Sequence, residues 1–259
     1  MFVALQFGPP KKGRRRRKTA PAVLTAQIAL PGAVSFYRMT VQPAGGKLPW
    51  NEISRAAGSL RTNMLLPEGA LPEEKSGARP FVPRALPLIL LFNAAVGVLR
   101  TLRPEEGGTP VTVVDPAAVL ADRIDRIAPF ASSLRVQTKA PALYRTARQR
   151  LMEAFGLSLC LSGPNAPLPE HGILVSLSAN RVPRLFDGLL LTGEPRTLLC
   201  GETFAANGLV LPPGFELLRP AGIDKTQFAA ALFERCGVKV LGELSFELCE
   251  HSPRQRRKR

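Results

Sequence analysis

In the second half of this 259-residue chain, the polar residues that could do chemistry stand where short apolar runs end. VTVVD (111–115) closes on Asp115, and LRVQT (134–138) closes on Thr138 with Lys139 next to it. LSLCL (157–161) leads into Ser162 and Gly163. GILVSLS (172–178) carries Ser176 and Ser178 with Asn180 beyond, and LFDGLLL (185–191) leads into Thr192, Gly193 and Glu194. If the runs are strands of an open sheet, these hydroxyl, amide and carboxylate groups sit at strand carboxyl ends, where such sheets bind ligands. Asp115, Thr138, Ser162, Ser178, Asn180 and Thr192 are therefore the candidate ligand-binding residues. Each is also a type that turns and caps use for their own hydrogen bonds. Acid–base work would fall to carboxylates such as Asp115, Asp187 or Glu194, because the chain has only two histidines, His171 and His251.

No catalytic role is assigned from the sequence. There is no G-x-S-x-G, Walker A or H-E-x-x-H pattern. Cys160, Cys200, Cys236 and Cys249 contain no C-x-x-C pair. That spacing gives no zinc knuckle, and no metal site is expected. The four cysteines read as small buried hydrophobes of a protein in a reducing compartment, the cytoplasm.

The elements that must position these residues follow from periodicity. Asp115 reads as the cap of a helix with Pro116 at its first position and Leu120, Ile124 and Ile127 on its buried face. A second helix runs from Pro141 to about Phe155, buries Tyr144, Ala147, Leu151 and Phe155, and stops at Gly156. Strand, helix, strand, helix, strand implies a parallel sheet with right-handed crossovers. The linker 162–171 holds no helix and is short for such a crossover. Asp224 and Gln227 form a capping box for a helix ending at Gly237, and 238–241 with 244–249 read as a closing hairpin.

The first half is different. AVLTAQIAL (22–30) and AVSFYRMTVQ (33–42) read as a hairpin turning at Pro31-Gly32. Asn51 is placed to cap a helix whose buried face is Ile53, Ala56, Ala57 and Leu60, with Trp50 as a staple before it. TNMLLP (62–67) reads as a short strand, and 88–102 is apolar nearly all round, a helix for the middle of a core. The longest apolar stretch, Ala85 to Leu99, is 15 residues, below the ~20 a membrane span needs. The start, MFVALQF, precedes rather than follows the basic residues and does not read as a secretory signal. The expected organisation is a basic arm (1–18), an N-terminal α+β domain (19–108), an α/β domain (109–250) and a basic tail (251–259).

The order of elements over 109–199 resembles the NAD(P)-binding Rossmann superfamily, nearest to the second domain of shikimate-dehydrogenase-type and glutamyl-tRNA-reductase-type proteins. The run from Leu185 to Thr192 followed by Gly193-Glu194-Pro195-Arg196-Thr197-Leu198-Leu199 is similar to their extended Pro-x-x-Thr segment, although Thr197 comes two places after Pro195 instead of three. The resemblance implies a dinucleotide cofactor, yet its motif is missing. A Rossmann site needs G-x-G-x-x-G after the first strand, so that the backbone can approach the pyrophosphate. Here the position reads Val114-Asp115-Pro116-Ala117-Ala118-Val119-Leu120, without glycine and with a carboxylate. Residues 19–108 also lack the lysine-bearing Ser/Thr/Pro-rich motif of a shikimate-type first domain. Thr138, Lys139, Arg145 and Arg148 could meet the 2′-phosphate of NADP, but without the loop they read as a solvated face.

The fold class expected is thus α/β, a degenerate Rossmann-like, mostly parallel sheet with an N-terminal α+β domain. The function expected is non-enzymatic binding or regulation, with a small molecule or a protein as partner and no cofactor. A divergent NAD(P)-dependent oxidoreductase, with NADP as its cofactor, is the alternative. The second alternative rests on charge. The formal charge is +15, but KKGRRRRK (11–18) holds seven basic groups and RQRRKR (254–259) five. Setting these aside leaves 23 basic against 20 acidic groups. The tails would attract nucleic acid or acidic lipid nonspecifically and in a salt-dependent way, without interleaved aromatics to read bases.

Overall fold

The computed structural model describes residues 1–8, 22–30, 34–42, 47–102, 108–176, 186–192, 202–243 and 246–251. The chain divides into two compact units, and neither is a single stretch. Unit 1 is Met1–Leu86 with Leu211–Leu241, and unit 2 is Pro87–Val210 with Gly242–Arg259. This differs from a division at residue 108. The apolar helix α2 (Leu86–Leu102) falls almost wholly in unit 2, and the helix that begins after Asp224 falls in unit 1.

Unit 1 carries a four-stranded sheet in the order β2-β3-β1-β4. Its strands are β1 (Val3–Phe7), β2 (Ala22–Leu30), β3 (Val34–Gln42) and β4 (Met64–Leu65). The hairpin β2–β3 forms as the alternation predicts, antiparallel over nine pairs from Ala22↔Gln42 to Leu30↔Val34. Its turn lies outside the described residues. Residues 3–7, expected as part of a basic arm, are instead an inner strand, parallel to β3 and β4. Val3, Ala4 and Leu5 are all buried, as an inner strand covered on both faces requires. Val3 and Leu5 join Met39, Val41, Trp50, Ile53 and Met64 in one core cluster. Phe2 and Phe36 stack at 5.0 Å, and both meet Phe228 edge-on.

Helix α1 (Trp50–Ala57) begins at Trp50, one residue before the expected cap, and Asn51 makes no capping bond. Trp50, Ile53 and Ala57 are buried, whereas Ala56 is exposed. A four-residue helix α4 (Phe215–Leu218) precedes α5 (Lys225–Cys236). The N-cap of α5 is Asp224 as read, with Oδ1 accepting from Gln227 N at 2.8 Å. Glu234 on α5 accepts from the backbone N–H groups of Arg84, Ala85 and Leu86, all within unit 1.

Unit 2 is a seven-stranded sheet in the order β11-β10-β9-β8-β5-β6-β7. The strands are β5 (Thr109–Val114), β6 (Ala131–Gln137), β7 (Leu159–Ser162), β8 (His171–Ser176), β9 (Asp187–Thr192), β10 (Glu202–Leu209) and β11 (Phe246–His251). β5 to β10 run parallel, and β11 closes the edge antiparallel to β10. The chain steps from β5 outward to β6 and β7, then returns to the other side of β5 for β8, β9 and β10. This is the doubly wound Rossmann order, with its switch point between β5 and β8. The fold is α/β and Rossmann-like.

Four local readings are corrected. After Asp115 no α-helix forms: Pro116–Arg123 is a series of turns and 3-10 helix covers Ile124–Phe130. Leu120, Ile124 and Ile127 are nevertheless fully buried. Helix α3 (Arg145–Phe155) stops at left-handed Gly156 as expected, but Phe155 is about half exposed, and so is not on the buried face. The segment after α5 forms 3-10 helix at Lys239–Glu243, and β11 pairs with the distant β10 rather than in a local hairpin. Cys160, on the edge strand β7, is exposed and not a buried hydrophobe.

Candidate functional site

The parallel register brings four of the six sequence-predicted residues, Asp115, Thr138, Ser162 and Thr192, to the carboxyl ends of neighbouring strands. Asp115 and Thr138 immediately follow β5 and β6, and Ser162, Ser176 and Thr192 are the last residues of β7, β8 and β9. The backbone continues the ladder there: Asp115 N–H donates to Gln137 O at 2.9 Å and Thr138 N–H to Ser162 O at 3.0 Å. Ser176 and Thr192 are register partners. Ser178 and Asn180 lie outside the described residues, as do Gly193, Glu194 and the Pro195–Leu199 run.

The geometry at the first crossover turn is decided by Asp115. Its side chain is fully buried. Oδ1 accepts from Val119 N at 2.9 Å, and Oδ2 accepts from Leu120 N at 2.7 Å and from the Tyr144 hydroxyl at 2.6 Å. A buried carboxylate is tolerable only when its oxygens are bonded in this way. The two N–H groups are of the kind that a Rossmann loop turns toward pyrophosphate. Here the chain's own carboxylate takes them. Pulling both N–H groups back onto Asp115 tightens the loop, and Ala118 adopts φ +56°, a left-handed conformation usually left to glycine. That is why turns replace the expected helix.

Tyr144, the residue immediately before α3, closes the arrangement from the far side. Burial, and then the adjacent Asp115 carboxylate that accepts its proton in a hydrogen bond, drive the phenol pKa far above its usual 10. Tyr144 stays a neutral donor across the physiological range. Periodicity places Tyr144 on a buried face but not in this site; a polar hydroxyl at a buried position is the one signal the sequence offers.

Thr138 and Gln137 are committed to structure in the same manner. Thr138 is buried and its Oγ1 accepts from Ala140 N at 3.1 Å, which makes it a turn residue. Gln137, which the sequence reading passed over, donates from Nε2 to Ala166 O at 2.8 Å and fastens the helix-free crossover between β7 and β8. Ser176 and Thr192 are fully buried. The Ser162 hydroxyl is buried without a partner among the described residues. At the base of the same strands, Gly172 and Gly188 are paired across β8 and β9. A Cβ on Gly188 would lie 2.0 Å from the Gly172 carbonyl oxygen, so the sheet closes there only with glycine.

The residues present do not fit a dinucleotide. A phosphate over this turn would face the Asp115 charge instead of free N–H donors. Two unit charges ~4 Å apart repel by about 4 kcal/mol at an effective dielectric of 20, roughly a thousandfold in affinity. Lys139, Arg145 and Arg148 are exposed, and the last two line a shallow open groove of about 360 Å³ with Gln149, Met152 and Glu153. Among the described residues, no group of three or more His, Cys, Asp or Glu could hold a metal ion, and no helix is long and apolar enough to cross a membrane.

Compared with known proteins, no family model and no curated protein matches the chain. Among solved structures, a crystal structure of L-tryptophan dehydrogenase from Nostoc punctiforme is similar at 11% identity with a TM-score of 0.29, over 60% of this chain and 50% of that one. The chain spans about half the length of that dehydrogenase. The assignment of unit 2 to a Rossmann-like fold rests on its strand order and not on this likeness.

Proposed function

We propose that the protein is a non-enzymatic binding or regulatory protein on a degenerate Rossmann-like fold, working in the cytoplasm and independent of NAD(P). One observation carries the reading: the Asp115 carboxylate accepts the Val119 and Leu120 N–H groups and the Tyr144 hydroxyl, and so fills the anion position of the fold with a group of its own. Evolution toward cofactor use would leave those donors free. The burial of Thr138, Ser176 and Thr192 supports the same reading, since these strand ends are packed instead of lining an open cleft. A thermal-shift screen of the full chain against nucleotides, dinucleotides and small metabolites tests it. Stabilisation by a ligand that is not a dinucleotide fits the proposal. Saturable stabilisation by NADP or NAD favours the divergent oxidoreductase and contradicts it.

Polyanion binding through the tails is a separate reading. It is carried by the seven and five basic residues of 11–18 and 254–259, which lie outside the described residues. Salt-titrated RNA and DNA binding, with and without the two segments, tests it; affinity unchanged by their removal rejects it.

A further inference from the structure

Among the described residues the two sheets present four edge strands, and three are guarded in ways that folded proteins use against edge-to-edge pairing. β4 has two residues and β7 four, both short. β11 carries Glu247, Glu250 and His251. Among the described residues β2 has none of these protections. It is nine residues long, AVLTAQIAL, with no charge, proline or glycine. Its pairing with β3 runs from end to end without a register shift, so no bulge twists its outer side away. Residues 24–27 are exposed, and Leu24 is 68% exposed.

From this contrast we propose that β2 is a self-association edge, where two copies of the chain join their four-stranded sheets antiparallel, strand β2 against strand β2. The sequence is complementary to itself about its midpoint, Ala26. A two-fold axis there sets Leu24 opposite Ile28 of the other copy and Thr25 opposite Gln27, so apolar meets apolar and polar meets polar. The flanking charge selects the orientation. The basic run 11–18 precedes the first residue of β2, Ala22, with Thr19, Ala20 and Pro21 between them. Parallel pairing in register would bring both runs to one end. Antiparallel pairing holds their points of attachment ~30 Å apart, the length of nine extended residues, several Debye lengths at physiological salt. The same charges discourage addition of further strands in a continuing stack.

The test is sedimentation velocity on the full chain over a wide concentration range, with charge exchange at the axis. Ala26 is exposed, and it faces its own copy in the proposed pair. The wild type is expected to sediment as a dimer of the 28.0 kDa chain. A26K and A26E each place like charges opposite one another and are expected to weaken the dimer by about tenfold or more. Mixing A26K with A26E is expected to restore a one-to-one dimer. Far-UV circular dichroism confirms that each variant is folded, and L24K, at another exposed position of the strand, replaces A26K should that fail. A wild type that stays monomeric at every concentration overturns the proposal. So does a dimer that A26K leaves at wild-type affinity, or a mixture that does not recover.

Discussion

The Tyr144 hydroxyl donates a 2.6 Å hydrogen bond to Oδ2 of Asp115, between two fully buried side chains 29 residues apart in the chain. This bond joins the turn after the first strand of the Rossmann-like sheet to the start of the helix after the second. It keeps a carboxylate where a cofactor of this fold would put its diphosphate.

The pair is expected to be energetically coupled. Tyr144→Phe removes a hydrogen bond to a charged group and should cost about 1.5–3 kcal/mol in urea unfolding. Asp115→Asn leaves an amide facing backbone donors and should cost about as much or more. The double variant should lose less than the sum, with a coupling of roughly 0.5–3 kcal/mol. Strict additivity would mean that the bond contributes nothing.

Stability should fall in alkali because of the same residue. The Tyr144 pKa is raised on folding, so the unfolded chain releases this proton near pH 10 while the folded chain holds it. The stabilisation is complete below about pH 10 and is lost as the pH rises above it, by about 1.4 kcal/mol per pH unit. The difference in unfolding free energy between wild type and Tyr144→Phe, measured from pH 9 upward, isolates this slope. A difference that is flat with pH contradicts the burial of Tyr144.

Gly188→Ala should destabilise unit 2 by about 3 kcal/mol or more, because the added methyl meets the Gly172 carbonyl and backbone cannot yield as a side chain would. Gly163→Ala, with nothing within 4 Å of its Cβ, should change stability by less than about 0.5 kcal/mol. Equal effects in thermal unfolding would show that the paired glycines do not set the strand spacing.

Ala118→Gly should stabilise the fold. The left-handed backbone at φ +56° costs alanine ~1–2 kcal/mol, more than the ~0.5–1 kcal/mol of extra entropy that glycine loses on folding. A gain of about 0.5–1 kcal/mol in urea unfolding is expected; a loss would place the turn in another conformation.

Much of this fold was legible in the sequence, and the limits have physical causes. The runs at 111–115, 134–138 and 157–161 appear as adjacent parallel strands, because a buried strand needs little more than a short apolar run between breakers. Leu120, Ile124 and Ile127 are buried as their spacing predicts, yet the helical period they share also suits turns whose direction is set by Asp115. That effect depends on Tyr144, which only tertiary structure brings near. β1 was obscured by its neighbours: five apolar-rich residues beside a basic run look like an arm until β3 and β4 pair with them. Nothing local marks the return of 211–241 to unit 1, since compact units are defined by contacts distant in sequence. In the candidate site, strand-end spacing points to Asp115, Thr138, Ser162 and Thr192, but the hydrogen bonds that engage Asp115 and Thr138 and the burial of Thr192 are visible only in three dimensions.

The central claim is that Asp115 occupies the anion position of the fold. Isothermal titration of NADP and of NAD into the full chain tests it most directly. The account predicts no saturable heat with either dinucleotide. Saturable one-to-one binding, with the diphosphate found over the turn from Asp115 to Leu120 in a crystal of the complex, would contradict it.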